Sequence, residues 1–219
     1  MSALNTLAVT VIDYGIGNLL NVVRALQRCG AEVTVVDSAV QLPVLPDRLV
    51  LPGVGAFAGG MAELKARGFD DLVKRYAATE RPFLGICVGA QMLFDVGEEF
   101  GEHPGLGLIP GRVVPVEPTD LSGQPHRIPH IGWSALEKPV AGTAWQNTIL
   151  SRLAPGEAMY FVHSFAPVPL HEAHRLADTH YNGVRICAAV ARGAIYGCQF
   201  HPERSAGAGL GILSSFLAL

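Results

Sequence analysis

The chain has 219 residues, 49% of them hydrophobic, and a formal net charge of −3. Its apolar stretches are broken by Gly, Pro or charge well short of the ~20 residues that a membrane span needs, and its 16 Lys and Arg form no basic block. Membrane and nucleic acid are therefore set aside as partners.

Leu7–Asp13 (LAVTVID) is a continuous apolar run ending in a carboxylate and then glycines, the pattern of a buried parallel strand. The stretch MSALNTLAVTVID lacks a basic region and a cleavage-site pattern, so no secretory leader is expected. Asn18–Cys29 carries apolar residues at helical spacing, and Gly30 follows as a stop signal. Ala31–Asp37 and Arg48–Gly53 read as the next strands, with helices around Ala56–Arg67 and Asp70–Ala78. Pro82–Ile86 is a fourth strand, leading into a helix expected from Val88 to about Asp95.

This alternation of strand and helix calls for a doubly wound, mainly parallel sheet covered by helices on both faces. From about Gly111 the texture changes. GRVVPVEP, HRIPHIGWSALE, AMYFVHSFAP, VRICAAVA and AIYGCQF read as strands with shorter connections, an added antiparallel part. A closing helix, Leu210–Leu217, is expected after the Gly-rich SAGAGLG. No repeat, low-complexity linker or second core interrupts the chain, so one domain over residues 1–219 is expected.

Cys29, Cys87, Cys187 and Cys198 form no C-x-x-C pair, which speaks against a disulfide framework or zinc knuckle and for a reducing, cytoplasmic setting. His171 and His174 are three apart in PLHEAHRL, a spacing that binds metal on a helix. The motif is not H-E-x-x-H, however, and Pro169 favours a loop, so no metal is expected.

In open parallel sheets, ligands bind beyond the carboxyl ends of the strands. That rule marks DYGIGN, PGVGAF, Cys87 and HPERS. DYGIGN begins like G-x-G-x-x-G, but Leu20 stands at the third glycine position, so a turn or a partner surface is the better reading. Gly85-Ile86-Cys87-Val88-Gly89 has the form of a nucleophile elbow, a sharp strand-to-helix turn that exposes its central residue. A thiol at a helix N-terminus is biased toward the reactive thiolate, and the free backbone N–H groups there can hold an oxyanion. Alternatively, Cys87 is a small packed hydrophobe.

An activated nucleophile needs a base. QFHPERS supplies His201 at a strand end, held extended by Pro202, with Glu203 two residues on to orient the imidazole. In PGVGAF, Gly53 and Gly55 around Val54 leave the backbone free to turn N–H groups toward a neighbouring site. An ordinary strand-to-helix turn is the alternative.

GICVGAQML with QFHPERS resembles the class I, triad-type glutamine amidotransferases, motifs in that family's order. Within the class, VIDYGIGNLLNVVRAL, LPGVGAF, RPFLGICVGAQMLF, IPHIGWSALE, YFVHSFAP and CQFHPERS resemble the glutaminase subunits of imidazole glycerol phosphate synthases, from histidine biosynthesis. The resemblance implies a flavodoxin-like sheet, L-glutamine as substrate and no cofactor. It implies Cys87 as nucleophile, His201 as acid and base, and Glu203 as its orienting carboxylate. Gly53, Val54 and Val88 would form the oxyanion hole, and Gln91 and Ser164 would bind glutamine. Ammonia would pass to a separate (β/α)₈-barrel cyclase subunit, which combines it with a phosphoribulosyl formimino nucleotide. Asn18, Trp133, Tyr160 and Arg204 would lie at that interface in a heterodimer, although Trp133 and Tyr160 also suit half-buried core positions. Two residues depart from the pattern: Arg204 where Lys is usual, which changes the geometry of a partner salt bridge, and Phe165 where Tyr is common, which removes a hydroxyl. A partner-independent cysteine hydrolase of the same fold, a silent binding subunit, and the amidotransferase of pyridoxal phosphate synthesis are the rival readings. The intact Cys87, His201 and Glu203 argue against the silent subunit, and IPHIGW and YFVHSF against the last.

Overall fold

The computed structural model describes residues 7–219. The reading of the extreme N-terminus as leaderless therefore falls partly outside the described residues. The first half alternates β1 (Leu7–Ile12), α1 (Leu19–Arg28), β2 (Ala31–Val36), β3 (Leu49–Gly53), α2 (Phe57–Ala66), α3 (Phe69–Ala77) and β4 (Phe83–Cys87). The causes are local. β1 and β3 are nearly continuous apolar runs, as strands covered on both faces require. α1 buries Val22, Ala25 and Leu26 at i, i+3 and i+4, and Gly30, at φ +87°, turns the chain out of the helix.

After β4 come α4 (Val88–Gln91), β5 (Phe94–Gly97), β6 (His103–Pro104), β7 (Ile109–Pro115), β8 (His130–Ala135), β9 (Ala158–His163) and β10 (Phe165–Pro169). The chain closes with β11 (Arg175–Tyr181), β12 (Val184–Arg192), β13 (Ile195–Cys198) and α5 (Ala206–Leu217). The main sheet has the order β11-β12-β13-β4-β3-β1-β2. From β13 to β2 its strands are parallel, while β11 and β12 run antiparallel. This is the expected doubly wound sheet with an antiparallel part. A second sheet, β10-β7-β5-β6, and the β8-β9 pair stand beside it.

Two helices differ from the sequence reading. The helix expected from Val88 to about Asp95 ends at Gln91. The carbonyls of Met92, Leu93 and Phe94 accept instead from the N–H groups of Leu106, Leu108, Ile109 and Gly107. The chain is thereby pulled into β5, a non-local pairing that outweighs helical periodicity. The closing helix starts earlier than expected, at Ala206, taking in the glycines of SAGAGLG. A Cβ at Gly209 would lie 2.0 Å from the Pro202 carbonyl oxygen, so one of those glycines is a packing residue. His171 and His174 flank a 3₁₀ turn with their rings edge to face at 5.3 Å. Among the described residues no group of three His, Cys, Asp or Glu side chains is placed to hold a metal ion. Nor, among the described residues, is any helix long and apolar enough to cross a membrane.

Most of the buried apolar side chains form one contiguous core, which runs from β1 through the elbow to α5. Its tightest point lies under α4, where a Cβ on Gly89 would sit 1.9 Å from the Leu51 carbonyl oxygen of β3. Gly89→Ala is therefore expected to destabilise the fold by at least ~3 kcal/mol, a fall in Tm of roughly 6–12 °C for a chain of this size. Gly59→Ala, in α2 with open space around it, is the control and should be neutral or stabilising. Equal melting temperatures for the two variants would contradict the packing argument.

Candidate active site

β4 ends at the centre of the sheet, in register with β3 on one side and β13 on the other. This pairing sets Gly53 opposite Cys87 and brings the segment following Cys198 alongside the elbow. Cys87 has φ 53° and ψ −113°, a non-glycine residue at positive φ, which costs ~1–3 kcal/mol and marks strain held by its surroundings. Gly89 lets α4 press onto β3 just behind it. The thiol is only 4% exposed. Its neighbours are the Gln199 Nε2–H at 3.7 Å and the Val162 carbonyl oxygen at 4.0 Å.

His201 follows β13 in extended conformation (φ −104°, ψ 95°), as the proline after it requires. Its N–H donates to the Tyr160 carbonyl, and its own carbonyl accepts from Ser205 Oγ at 2.6 Å. The imidazole Nδ1–H donates to Glu203 Oε1 at 2.8 Å, with both side chains almost fully buried. Nε2 makes no hydrogen bond among the described residues. Burial disfavours the imidazolium, but Cys87 and Glu203 outweigh it and raise the His201 pKa to about 10. A one-turn α4 has little dipole to offer. The positive charge next to the thiol comes from His201 rather than from the helix end, a correction to the sequence argument.

A raised histidine pKa means that the native state binds the extra proton. The stability His201 contributes is thus complete below its ordinary pKa of 6.5 and lost as pH rises through about 10. The stability difference between wild type and His201→Gln should therefore shrink steadily on raising pH across that window. A difference independent of pH would contradict the assignment of charge.

The elbow opens into a cavity of about 240 Å³ whose lining includes Val54, Cys87, Val88, Gln91, Ser164 and His201. The structure thus brings together the proposed nucleophile, base, substrate-binding pair and two of the three oxyanion residues. Gly53 does not line the cavity. It lies in β3, where a Cβ would meet the Tyr14 hydroxyl at 2.5 Å and Gly89 N at 2.6 Å. Its lack of a side chain serves packing, and the freedom expected of both glycines resides in Gly55 alone (φ +84°). Gln91 is buried and donates through Nε2 to the Phe165 carbonyl at 3.0 Å and to Gln199 Oε1 at 2.9 Å. That leaves its amide oxygen as the group free to accept. At position 165 the backbone carbonyl makes these contacts, so the missing tyrosine hydroxyl does not bear on them.

Four polar residues at the site escaped the sequence reading. Glu99 lines the cavity, and its Oε2 accepts from the Phe57 N–H at 2.7 Å. Gln199 reaches the thiol and His163 lines the cavity wall. The Tyr14 hydroxyl is buried without a partner, its pKa raised by burial and by Cys87. Only Gln199 carried a local signal, since in extended chain it shares a face with His201 two residues later. Glu99 and His163 arrive from other elements.

Of the expected interface residues, Trp133 and Tyr160 sit directly opposite each other on β8 and β9, edge to face at 6.0 Å. Trp133 is 54% exposed and Tyr160 partly buried. Arg204 lays its guanidinium 4.3 Å from the Tyr160 ring centroid, a stacking that a lysine would make less well. Asn18 stands at the start of α1, with its Oδ1 accepting from Asn21.

Residues 10–218 match the family model described as glutamine amidotransferase class-I. The chain is similar to "Imidazole glycerol phosphate synthase subunit HisH 1" of Legionella pneumophila (strain Lens), 47% identical over 212 residues that cover 97% of this chain and 99% of the relative. It is 42% identical over 210 residues to the subunit HisH of Syntrophotalea carbinolica, covering 95% and 98%. Among solved structures, PurLQS from Thermotoga maritima contains a chain that superposes with a TM-score of 0.70 at 21% identity, covering 96% of this chain and 97% of that one; this last likeness shows the fold.

Proposed function

Because the chain belongs to the class I glutamine amidotransferase family, we propose that its cavity hydrolyses glutamine and that the ammonia formed goes directly to a cyclase subunit. The protein is a glutaminase subunit of an imidazole glycerol phosphate synthase, in histidine biosynthesis. The whole chain acts as one amidotransferase domain, in the cytoplasm.

The observation that carries the chemistry is a strained, cavity-lining Cys87 beside a histidine that Glu203 holds by one nitrogen and leaves open at the other. The thiolate attacks the side-chain amide carbon of glutamine and pushes its electron pair onto the oxygen. The N–H groups of Val54 and Val88 receive that oxyanion. As the C–N bond breaks, His201 Nε2 gives its proton to the departing nitrogen, releasing ammonia and leaving a γ-glutamyl thioester. Water then attacks the thioester and yields its proton to the same Nε2. Glutamate departs and the thiolate is restored. Glu203 fixes the tautomer and compensates the imidazolium.

Gln91 offers its amide oxygen to the substrate, with Ser164 beside it. Glu99 has one carboxylate oxygen engaged by Phe57 and the other available for the α-ammonium group of glutamine. The half-exposed Trp133, with Tyr160 and Arg204, forms the surface that receives the barrel subunit, and Asn18 extends it. The test supplies glutamine labelled with nitrogen-15 in the amide, together with the cyclase, its nucleotide and an excess of unlabelled ammonium. Direct transfer leaves the label in imidazole glycerol phosphate. Label diluted to the bulk ammonium ratio would mean that this chain releases ammonia without delivering it.

A further inference from the structure

β8 and β9 have two faces. One carries Ile131, Trp133 and Tyr160 outward; the other turns His130, Ser134, Phe161 and His163 inward. On the inner face two imidazoles meet, His130 Nδ1 lying 3.0 Å from His163 Nε2. Their tautomers follow from what lies at each end. His163 Nδ1 is 2.9 Å from the Phe165 carbonyl oxygen, which can only accept, so Nδ1 carries the hydrogen and Nε2 is an acceptor. His130 Nδ1–H must then donate to it, and His130 Nε2 accepts from Ser134 Oγ at 2.9 Å. Burial pushes the pKa of His163 down to about 3 and that of His130 to about 4, so both rings are neutral and the direction of the chain is set. His130 is further clamped between Phe161 and Tyr181, ring centroids 4.9 and 4.2 Å away.

The chain of bonds continues into the cavity. The Phe165 carbonyl takes its second hydrogen bond from Gln91 Nε2, which fills both lone pairs and fixes the carbonyl from two sides. Gln91 also donates to Gln199, whose own Nε2–H lies 3.7 Å from the Cys87 sulfur. We propose that the His130–His163 pair is a positioning device for the glutamine site: it holds the Phe165 carbonyl, and through it the Gln91 amide, in the orientation that receives glutamine beside Cys87. Neither histidine takes part in bond making. The proposal rests on the glutaminase reading above.

The test compares two reagents at Cys87, each rate read from the mass of the Cys87 peptide. Diazo-oxo-norleucine, a diazoketone analogue of glutamine, must be recognised before it alkylates; iodoacetamide needs only the thiolate. His163→Leu leaves the carbonyl one donor short and is expected to slow the glutamine analogue ~10–100-fold, with iodoacetamide within ~3-fold of wild type. His163→Asn keeps an N–H close to the Nδ1 position and should label within ~3-fold of wild type. If the leucine variant does not fold, His163→Gln takes its place: its longer amide reaches toward His130 rather than Phe165, and the same loss is expected. Equal slowing of both reagents, normal labelling of the leucine or glutamine variant, or an asparagine variant as slow as leucine would overturn the proposal. A wild-type chain that iodoacetamide labels and the analogue does not would overturn the glutaminase reading itself, and the proposal with it.

Discussion

Cys87→Ala is expected to abolish glutamine hydrolysis, a loss of at least ~10⁴-fold, while the fold and partner binding survive. The sulfur's hydrogen bonds to Gln199 and Val162 are long, at 3.7 and 4.0 Å, and replacing the thiol by a hydrogen removes one atom from the core, so the cost to the fold is small. Alanine meets the same backbone strain at φ 53° that cysteine already bears. Cys87→Ser should be almost as inactive, because an alcohol beside the same histidine is far less ionised than a thiol. If Cys87 only makes ammonia, either variant mixed with the cyclase should still form product from added ammonium salt at high pH. Near-normal glutaminase activity in the alanine variant would end the nucleophile assignment. Failure of ammonium to support turnover, with an active cyclase control, would show that this chain contributes more than nitrogen.

The second large effect is activation. Alone, the chain should be a poor glutaminase, and cyclase with its nucleotide should raise turnover by ~10²–10³-fold, the usual cost of a missing oxyanion donor. The device is the peptide at Val54. Gly53 before it is locked in β3 against Tyr14, whereas Gly55 after it sits at φ +84° with its nearest neighbour, Ile16 Cγ2, 3.6 Å from where a Cβ would be. The Val54 N–H belongs to the Gly53–Val54 peptide, so opposed rotations of Gly53 ψ and Val54 φ, which leave the packed Gly53 Cα in place, swing it toward or away from the cavity, and Gly55 absorbs the change in the chain that follows. Partner and nucleotide can favour the donor-in state only by binding it better. Equal turnover for the chain alone, with cyclase, and with cyclase plus nucleotide would remove the gate and leave the Cys87–His201–Glu203 assignment standing.

What could be read from sequence followed from how local its cause was. The strands β1 to β4 were legible because each is an apolar run cut by Gly, Asp or Pro, and the elbow because Gly85 and Gly89 bracket one thiol. His201 and Glu203 were legible because Pro202 ties them to a strand end. The length of α4 was not, since what stops it is a set of N–H groups some fifteen residues downstream, from Leu106 to Ile109. β5 was missed for the same reason, since its ladder is made with β7. β11 was not, because its partner is the next strand, and the Asn182-Gly183 turn that joins it to β12 is a local hairpin signal that went unread. Gly53 showed the limit of glycine arguments, because a sequence cannot distinguish a glycine that turns from one that makes room. Glu99 and the His130–His163 pair come from separate elements, and no spacing in the chain announces them.

The most direct measurement is the mass of the Cys87 peptide after the chain, turning over glutamine with its partner and nucleotide, is quenched in acid. A γ-glutamyl thioester on Cys87 is expected, absent when glutamine is withheld. Continued release of glutamate with Cys87 unmodified, or a glutamyl adduct on any other nucleophile, would contradict the mechanism.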